Sequence, residues 1–263
     1  MLNRSDESFL NFKKQLLDRE TVYGLVLLNP VASWAEIIAM TGFDFVWIDM
    51  EHTNMTFQDV EKLVIALELH GCVPLVRVRN NELNSIGQVL DLGTRIVAIP
   101  HVDTAEEARK AVSGAKYYPL GRRGYASMSR STEQGSRRLD LRYMEKKNNE
   151  TMLMVLIESE ESVRNVEEIA LVDGVDILFV GFADLCQDMG ITVDPAHPRC
   201  VEAIETVGRA LKKSGKIGAF IASEPEKIEH YKELGFTMII AGLDTKIFRS
   251  AAEELIKKIR SKE

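Results

Sequence analysis

Short, nearly continuous apolar runs alternate with amphipathic stretches from about residue 20 to the end of the chain. The runs are Tyr23–Leu28, Phe43–Ile48, Val73–Val78, Arg95–Ile99, Met152–Ile157, Val175–Val180, Ile217–Ile221 and Phe236–Ile240. Each is bounded by Gly, Pro, Asn or Asp, the pattern of a parallel strand covered on both faces. Between the runs, apolar positions return every three or four residues, as in Phe57–Leu67, which predicts helices. Thr104 with Glu107 three residues on reads as a capping box, and Pro225 suits the first turn of another helix. Thr245–Lys262 is a last amphipathic helix, with an apolar stripe of Ile247, Phe248, Ala251, Ala252, Leu255, Ile256 and Ile259. About eight strand–helix units at this length predict one α/β domain over residues 1–263, a (β/α)8 TIM barrel with residues 1–20 as an N-terminal helical extension. The alternative is an open doubly wound sheet. Its first turn wants a Gly-rich dinucleotide loop, and none comes after Tyr23–Leu28. Gly114–Gly135 is too long for a plain connection, and long βα loops are usually functional.

Composition narrows the function classes. The chain is 45% hydrophobic and 28% charged with a net charge of −7, so an extended nucleic-acid surface is not expected. The densest basic spot, Arg137-Arg138 with Lys146-Lys147, is interleaved with acids and reads as a solvated helix face. Cys72, Cys186 and Cys200 have neither CxxC nor Cys/His spacing, which points to a reducing compartment rather than a disulfide framework. Residues 1–20 lack the apolar core of a signal peptide, and no apolar run approaches the roughly 18 residues of a membrane span. The expectation is a soluble, cytoplasmic protein that binds neither nucleic acid nor membrane.

In such a barrel the active site lies at the C-terminal ends of the strands, so the informative residues are the polar ones just after the apolar runs. Those are Asp49-Met50-Glu51-His52, Arg77 to Asn81, Glu158-Ser159-Glu160, and Gly181-Phe182-Ala183-Asp184. Glu158 and Asp184 at adjacent strand ends, without a Cys or His cluster, suit a hard divalent cation. Each alone would serve equally well as a helix cap. His52 offers a general base, and Arg77 offers a charge-assisted fork for a carboxylate or enolate. A structural histidine and a structural salt bridge are their plain alternatives. Asp91 ends a helical stretch, where a carboxylate gains nothing from the local dipole. It serves either a partner elsewhere or the turn Leu92-Gly93-Thr94.

These residues sit in recognisable blocks. Phe43 to His52, Pro74-Leu75-Val76-Arg77-Val78, Leu90 to Thr94, Tyr118 to Gly124, Ile157-Glu158, Gly181 to Gly190 and Ala241 to Thr245 together resemble the HpcH/HpaI aldolase family. The resemblance covers nearly the whole chain after residue 20. It implies a metal-dependent lyase that cleaves a 4-hydroxy-2-oxo acid to pyruvate and an aldehyde, or the reverse, through a metal-stabilised enolate. The cofactor it implies is a divalent metal, Mg2+ or Mn2+ with Co2+ as a third candidate, and the assembly a homo-oligomer, a hexamer of helix-swapped dimers. Carried over by position, Glu158 and Asp184 are the metal ligands, His52 the acid–base residue and Arg77 the enolate stabiliser. Asp91 raises the basicity of His52, within one chain or across a subunit boundary, and the Ala183 backbone and Asp184 meet the substrate.

The sequence departs from the family pattern at Leu156, where Gln is usual, at Phe182 for Pro, at Cys186 for Ser, and at His101 for Met or another apolar residue. These changes bear on substrate preference and efficiency rather than on metal chemistry. Two other functions fit the same blocks: a lyase for a malyl- or citramalyl-type thioester, with Arg122-Arg123 as its only cationic cluster, and a catalytically weak binding or scaffold oligomer.

Overall fold

The structure, a computed structural model, describes residues 4–261. Eight parallel strands close in sequence order into a barrel: β1 (Val22–Leu27), β2 (Phe45–Asp49), β3 (Val73–Arg77), β4 (Ile96–Ile99), β5 (Met152–Ile157), β6 (Ile177–Val180), β7 (Ile217–Ile221) and β8 (Phe236–Leu243). Every predicted apolar run contains its strand or overlaps it, and the open-sheet alternative is excluded by the pairing of β8 with β1.

Side chains alternate across each strand, which divides the core in two. Phe45 and Trp47, Val73 and Leu75, Met152, Met154 and Leu156, and Ile177 and Phe179 belong to the cluster that fills the barrel. The residues between them, such as Val46, Ile48, Leu153 and Val155, pack outward against the helices. Gly24 occupies an inward position because Phe45 needs the room: a Cβ there would stand 2.4 Å from the Phe45 ring. The helix Arg4–Leu17 closes the N-terminal end of the barrel. Its Phe9, Phe12 and Leu16 join the interior cluster, with the Phe12 ring 5.8 Å from that of Phe45. Residues 1–3 of the predicted extension lie outside the described residues.

The helices return the chain from the C-terminal to the N-terminal end of the barrel. Thr56 and Thr104 start two of them with capping boxes, the second as the sequence predicts. The last helix, Asp244–Arg260, leaves directly from β8, and its Ile247, Phe248, Leu255, Ile256 and Ile259 are exposed. The predicted end at Lys262 lies outside the described residues. No described helix is long and apolar enough to cross a membrane.

One expectation is corrected. Gly114–Gly135 begins in the helix Ala105–Ala115, so its loop leads from that helix toward the helix Leu141–Glu150 rather than from a strand to a helix. It therefore runs beneath the N-terminal end of the barrel, where Arg123 pairs with Asp91 and Arg130 with Glu68. It is remote from the end where strands deliver catalytic residues.

Candidate active site

The same alternation that buries Phe45 and Trp47 brings Asp49 to the top of the barrel interior, and Val73 and Leu75 likewise lead to Arg77. Asp49 and Arg77 are register partners. Their side chains meet as a fork: Arg77 Nε donates to Asp49 Oδ1 at 2.9 Å and Nη2 to Oδ2 at 2.6 Å. Arg77 Nη1 lies 2.6 Å from Glu51 Oε2, and the guanidinium carbon stands 5.5 Å from the centre of the Trp47 ring. Asp49 Oδ1 also accepts from the backbone N–H of Glu51 at 2.9 Å, which turns the chain after β2 and aims Glu51 inward. Arg79 holds this turn from beneath by donating to the carbonyls of Met50 and Met55.

Glu158 continues the inward row of β5 above Leu156 and is 3% exposed. Gly181, at the end of β6, leaves it space: a Cβ there would stand 2.6 Å from Glu158 Oε2. The carboxylate accepts the backbone N–H of His101 at 2.7 Å. Burial pushes the Glu158 carboxyl up to about 7; the His101 N–H and the His101 ring oppose the rise, and the charges of Glu51 and Asp184 add to it. Asp184 lies in the first turn of the helix Phe182–Asp188 and is half-buried.

A cavity of about 360 Å³ opens over these groups. Asp49, His52, Arg77, Glu158, Ala183 and Asp184 line it, and Val26, Leu28, Trp47, Phe179, Phe182, Ile221, Ile240 and Leu243 form its apolar wall. The structure thus gathers every predicted site residue but one into a single mouth. The exception is Asp91. It ends the helix Leu83–Asp91, hence at the far end of the barrel from His52 of the same chain, and its carboxylate accepts from Arg123 Nη2 at 2.7 Å. Strands and helices run in opposite directions, so a residue that ends a helix and one just past a strand cannot meet within one barrel. The sequence placed Asp49 and Glu51 at a strand end beside His52 but gave them no role in the site, and it gave none to His101. For Asp49 and Glu51 the signal was available, since they stand at the end of β2 and just beyond it. His101 was noted as a histidine that follows a strand and as a departure from the family pattern. Its ring places Nε2 3.1 Å from Glu51 Oε1 and Nδ1 3.3 Å from Glu158 Oε1.

The departures sort by depth. Leu156 is fully buried in the barrel cluster beneath the cavity. Phe182 lines the cavity and meets Phe220 edge-on, with ring centroids 6.1 Å apart. Cys186 is buried with its Sγ 3.4 Å from that of Cys200. Arg122 and Arg123, the cations that a nucleotide thioester would need, belong to the loop at the opposite end of the barrel.

Chemically, four carboxylates (Asp49, Glu51, Glu158, Asp184) face one guanidinium (Arg77) in this mouth. An oxygen-rich donor set with surplus negative charge, one imidazole beside it and a buried, proton-seeking carboxyl suits a divalent cation.

Comparison with known proteins places the whole barrel in one family. Residues 23–251 match the family described as HpcH/HpaI aldolase/citrate lyase. A 2-keto-3-deoxy-L-rhamnonate aldolase of Klebsiella pneumoniae is 35% identical over 251 residues, 95% of this chain and 93% of that one. A hydroxypyruvate/pyruvate aldolase of Cupriavidus necator is 36% identical over 249 residues, 95% and 92% of the two chains. The crystal structure of a family protein from Burkholderia cenocepacia superposes with a TM-score of 0.89 at 32% identity, covering 95% of this chain and 99% of that one. With family model, sequence and barrel in agreement over nearly its whole length, the chain belongs to the HpcH/HpaI aldolase/citrate lyase family.

Proposed function

We propose that this protein is a class II carbon–carbon lyase that cleaves a 4-hydroxy-2-oxo acid to pyruvate and an aldehyde, or condenses the two. One observation carries the reading: Asp49, His52, Arg77, Glu158 and Asp184 converge on one cavity whose remaining wall is mostly apolar. The aldolases among its relatives support the same class of reaction.

Glu158 and Asp184 would hold the divalent cation, Mg2+, Mn2+ or Co2+ by their oxygen donors. Bound there, it supplies Lewis acidity toward a 2-oxo acid. Arg77 contributes fixed positive charge where an enolate develops. Its fork to Asp49 sets the guanidinium in place before substrate arrives, so no reorganisation is needed at the moment of reaction. Trp47, Phe179 and Phe182 exclude water from that charge. The backbone at Ala183 receives the substrate carboxylate. His52, on the cavity rim with its ring 57% exposed, moves the proton of the 4-hydroxyl. Asp91 would reach a His52 only from a second copy of the chain, so this dyad requires an oligomer. The exposed apolar face of the helix Asp244–Arg260 is the surface we assign to that assembly.

The test is pyruvate release from a panel of 4-hydroxy-2-oxo acids, in chelator and after re-addition of Mg2+, Mn2+ or Co2+. The proposal expects turnover only with cation, and its loss in a folded Glu158→Ala variant. Full activity in chelator removes the cation from the mechanism. A panel without a substrate leaves a binding or scaffold role instead.

A further inference from the structure

Oxygen ligands alone would satisfy the cation reading, yet the structure puts an imidazole against the central carboxylate. His101 has φ +53°, a left-handed conformation uncommon outside glycine, though histidine adopts it more readily than most side chains. Its own N–H donates to Glu158 Oε1 at 2.7 Å, and the ring then folds back over the same carboxylate. Nδ1 lies 3.3 Å from Glu158 Oε1, and Nε2 lies 3.1 Å from Glu51 Oε1. One ligand atom from each of Glu51, His101 and Glu158 falls within 4.8 Å of the others. Neighbouring ligands of an ion bound at about 2.1 Å stand roughly 3 to 3.5 Å apart, so the Nδ1–Oε1 spacing suits two donors to one ion. The carboxylates are not solvated surface acids: the Glu158 side chain is 2% exposed and that of Glu51 10%. Glu51 Oε2 is buried without a hydrogen bond, in charge contact with Arg77 Nη1 at 2.6 Å and with His52 Nε2 at 3.7 Å.

We propose that His101 Nδ1 is a nitrogen ligand of the cation held by Glu158, with Glu51 fixing the ring by accepting its Nε2–H. This rests on the cation reading above and adds to it a choice of metal. A ligating imidazole whose other nitrogen donates to a carboxylate is a common arrangement at metal centres, because the carboxylate orients the ring and raises its basicity. Mixed nitrogen and oxygen donors favour Co2+ and Zn2+, whereas Mg2+ gains little from an imidazole. The ring is 67% exposed, so it caps the ion from the solvent side and leaves the cavity side to substrate. The competing role is a protonated imidazole that neutralises two glutamates and meets no metal.

Calorimetric titration of the chelator-stripped full-length protein with Mg2+, Co2+ and Zn2+ separates the two. His101→Gly removes the ring without backbone strain, because glycine accepts the positive φ. The proposal expects this variant to lose about tenfold or more in Co2+ and Zn2+ affinity while Mg2+ affinity changes little. Added free imidazole should restore the visible absorption spectrum of the Co2+-loaded protein. His101→Asn, also at ease in this conformation, should repeat the loss without strain. Equal changes for all three ions, or an unaltered Co2+ spectrum, overturn the nitrogen ligand and leave the cation reading standing. A wild-type protein that binds none of the ions, or binds them as well after Glu158→Gln, overturns both.

Discussion

Burial drives the Glu158 carboxyl up to about 7, and at that residue chemistry and stability are linked. Without a cation, the folded chain keeps a proton on Glu158 between about pH 5 and pH 7 that the unfolded chain releases. The folded state therefore binds more protons across that window, and stability falls as pH rises through it, by about 3 kcal/mol at most. Melting curves in chelator from pH 5 to 8 check this: Tm should decline with pH in the wild type and decline less in Glu158→Gln. Arg77 gives a second prediction at this scale. Arg77→Lys keeps the charge but loses the fork to Asp49, so kcat/KM should fall by about a hundredfold with little change in Tm. Unchanged turnover would reduce Arg77 to a structural ion pair. That Arg77, Glu158 and Asp184 share one mouth was legible in the sequence, because each lies at or just past the end of an apolar run in a barrel whose chemistry sits at strand ends. The contact of His101 with Glu51 and Glu158 was not, since three loops must be folded before their spacing exists.

At the scale of elements, the strands were legible because burial on both faces turns each into a continuous apolar run. Their closure was implied by their number. What periodicity did not give was the direction of each connection: Gly114–Gly135 read as a βα loop by its length, but it leaves a helix and so lies at the far end of its own barrel from the cavity. The capped helix before it carried that information. The N-terminal helix was legible as amphipathic, though not as a plug, because its partner Phe45 is remote in sequence. Phe12 is 2% exposed in the interior cluster, so Phe12→Ala should cost about 3–5 kcal/mol. A urea titration reads that loss directly. A midpoint unchanged from wild type would mean that the barrel floor is closed by something else.

For the whole molecule, the physical question is what covers the helix Asp244–Arg260, whose Phe248 and Leu255 are each 61% exposed. In the assembly we propose, a second copy of the chain would cover it and would bring an Asp91 toward a His52, so assembly and proton transfer should fail together. Light scattering of Leu255→Glu should show a smaller species than wild type, and its pH–rate profile should match that of Asp91→Asn. A wild type that is monomeric at micromolar concentration contradicts the shared site. The central claim, that these strand ends generate an enolate with the help of a cation, is tested most directly without any aldehyde. Proton NMR of pyruvate in D2O tracks exchange of its methyl protons. The account predicts that the methyl signal decays with wild-type protein and cation, and persists in chelator or with Glu158→Gln. A signal that persists with the cation-loaded wild type, or decays equally in chelator, would contradict it.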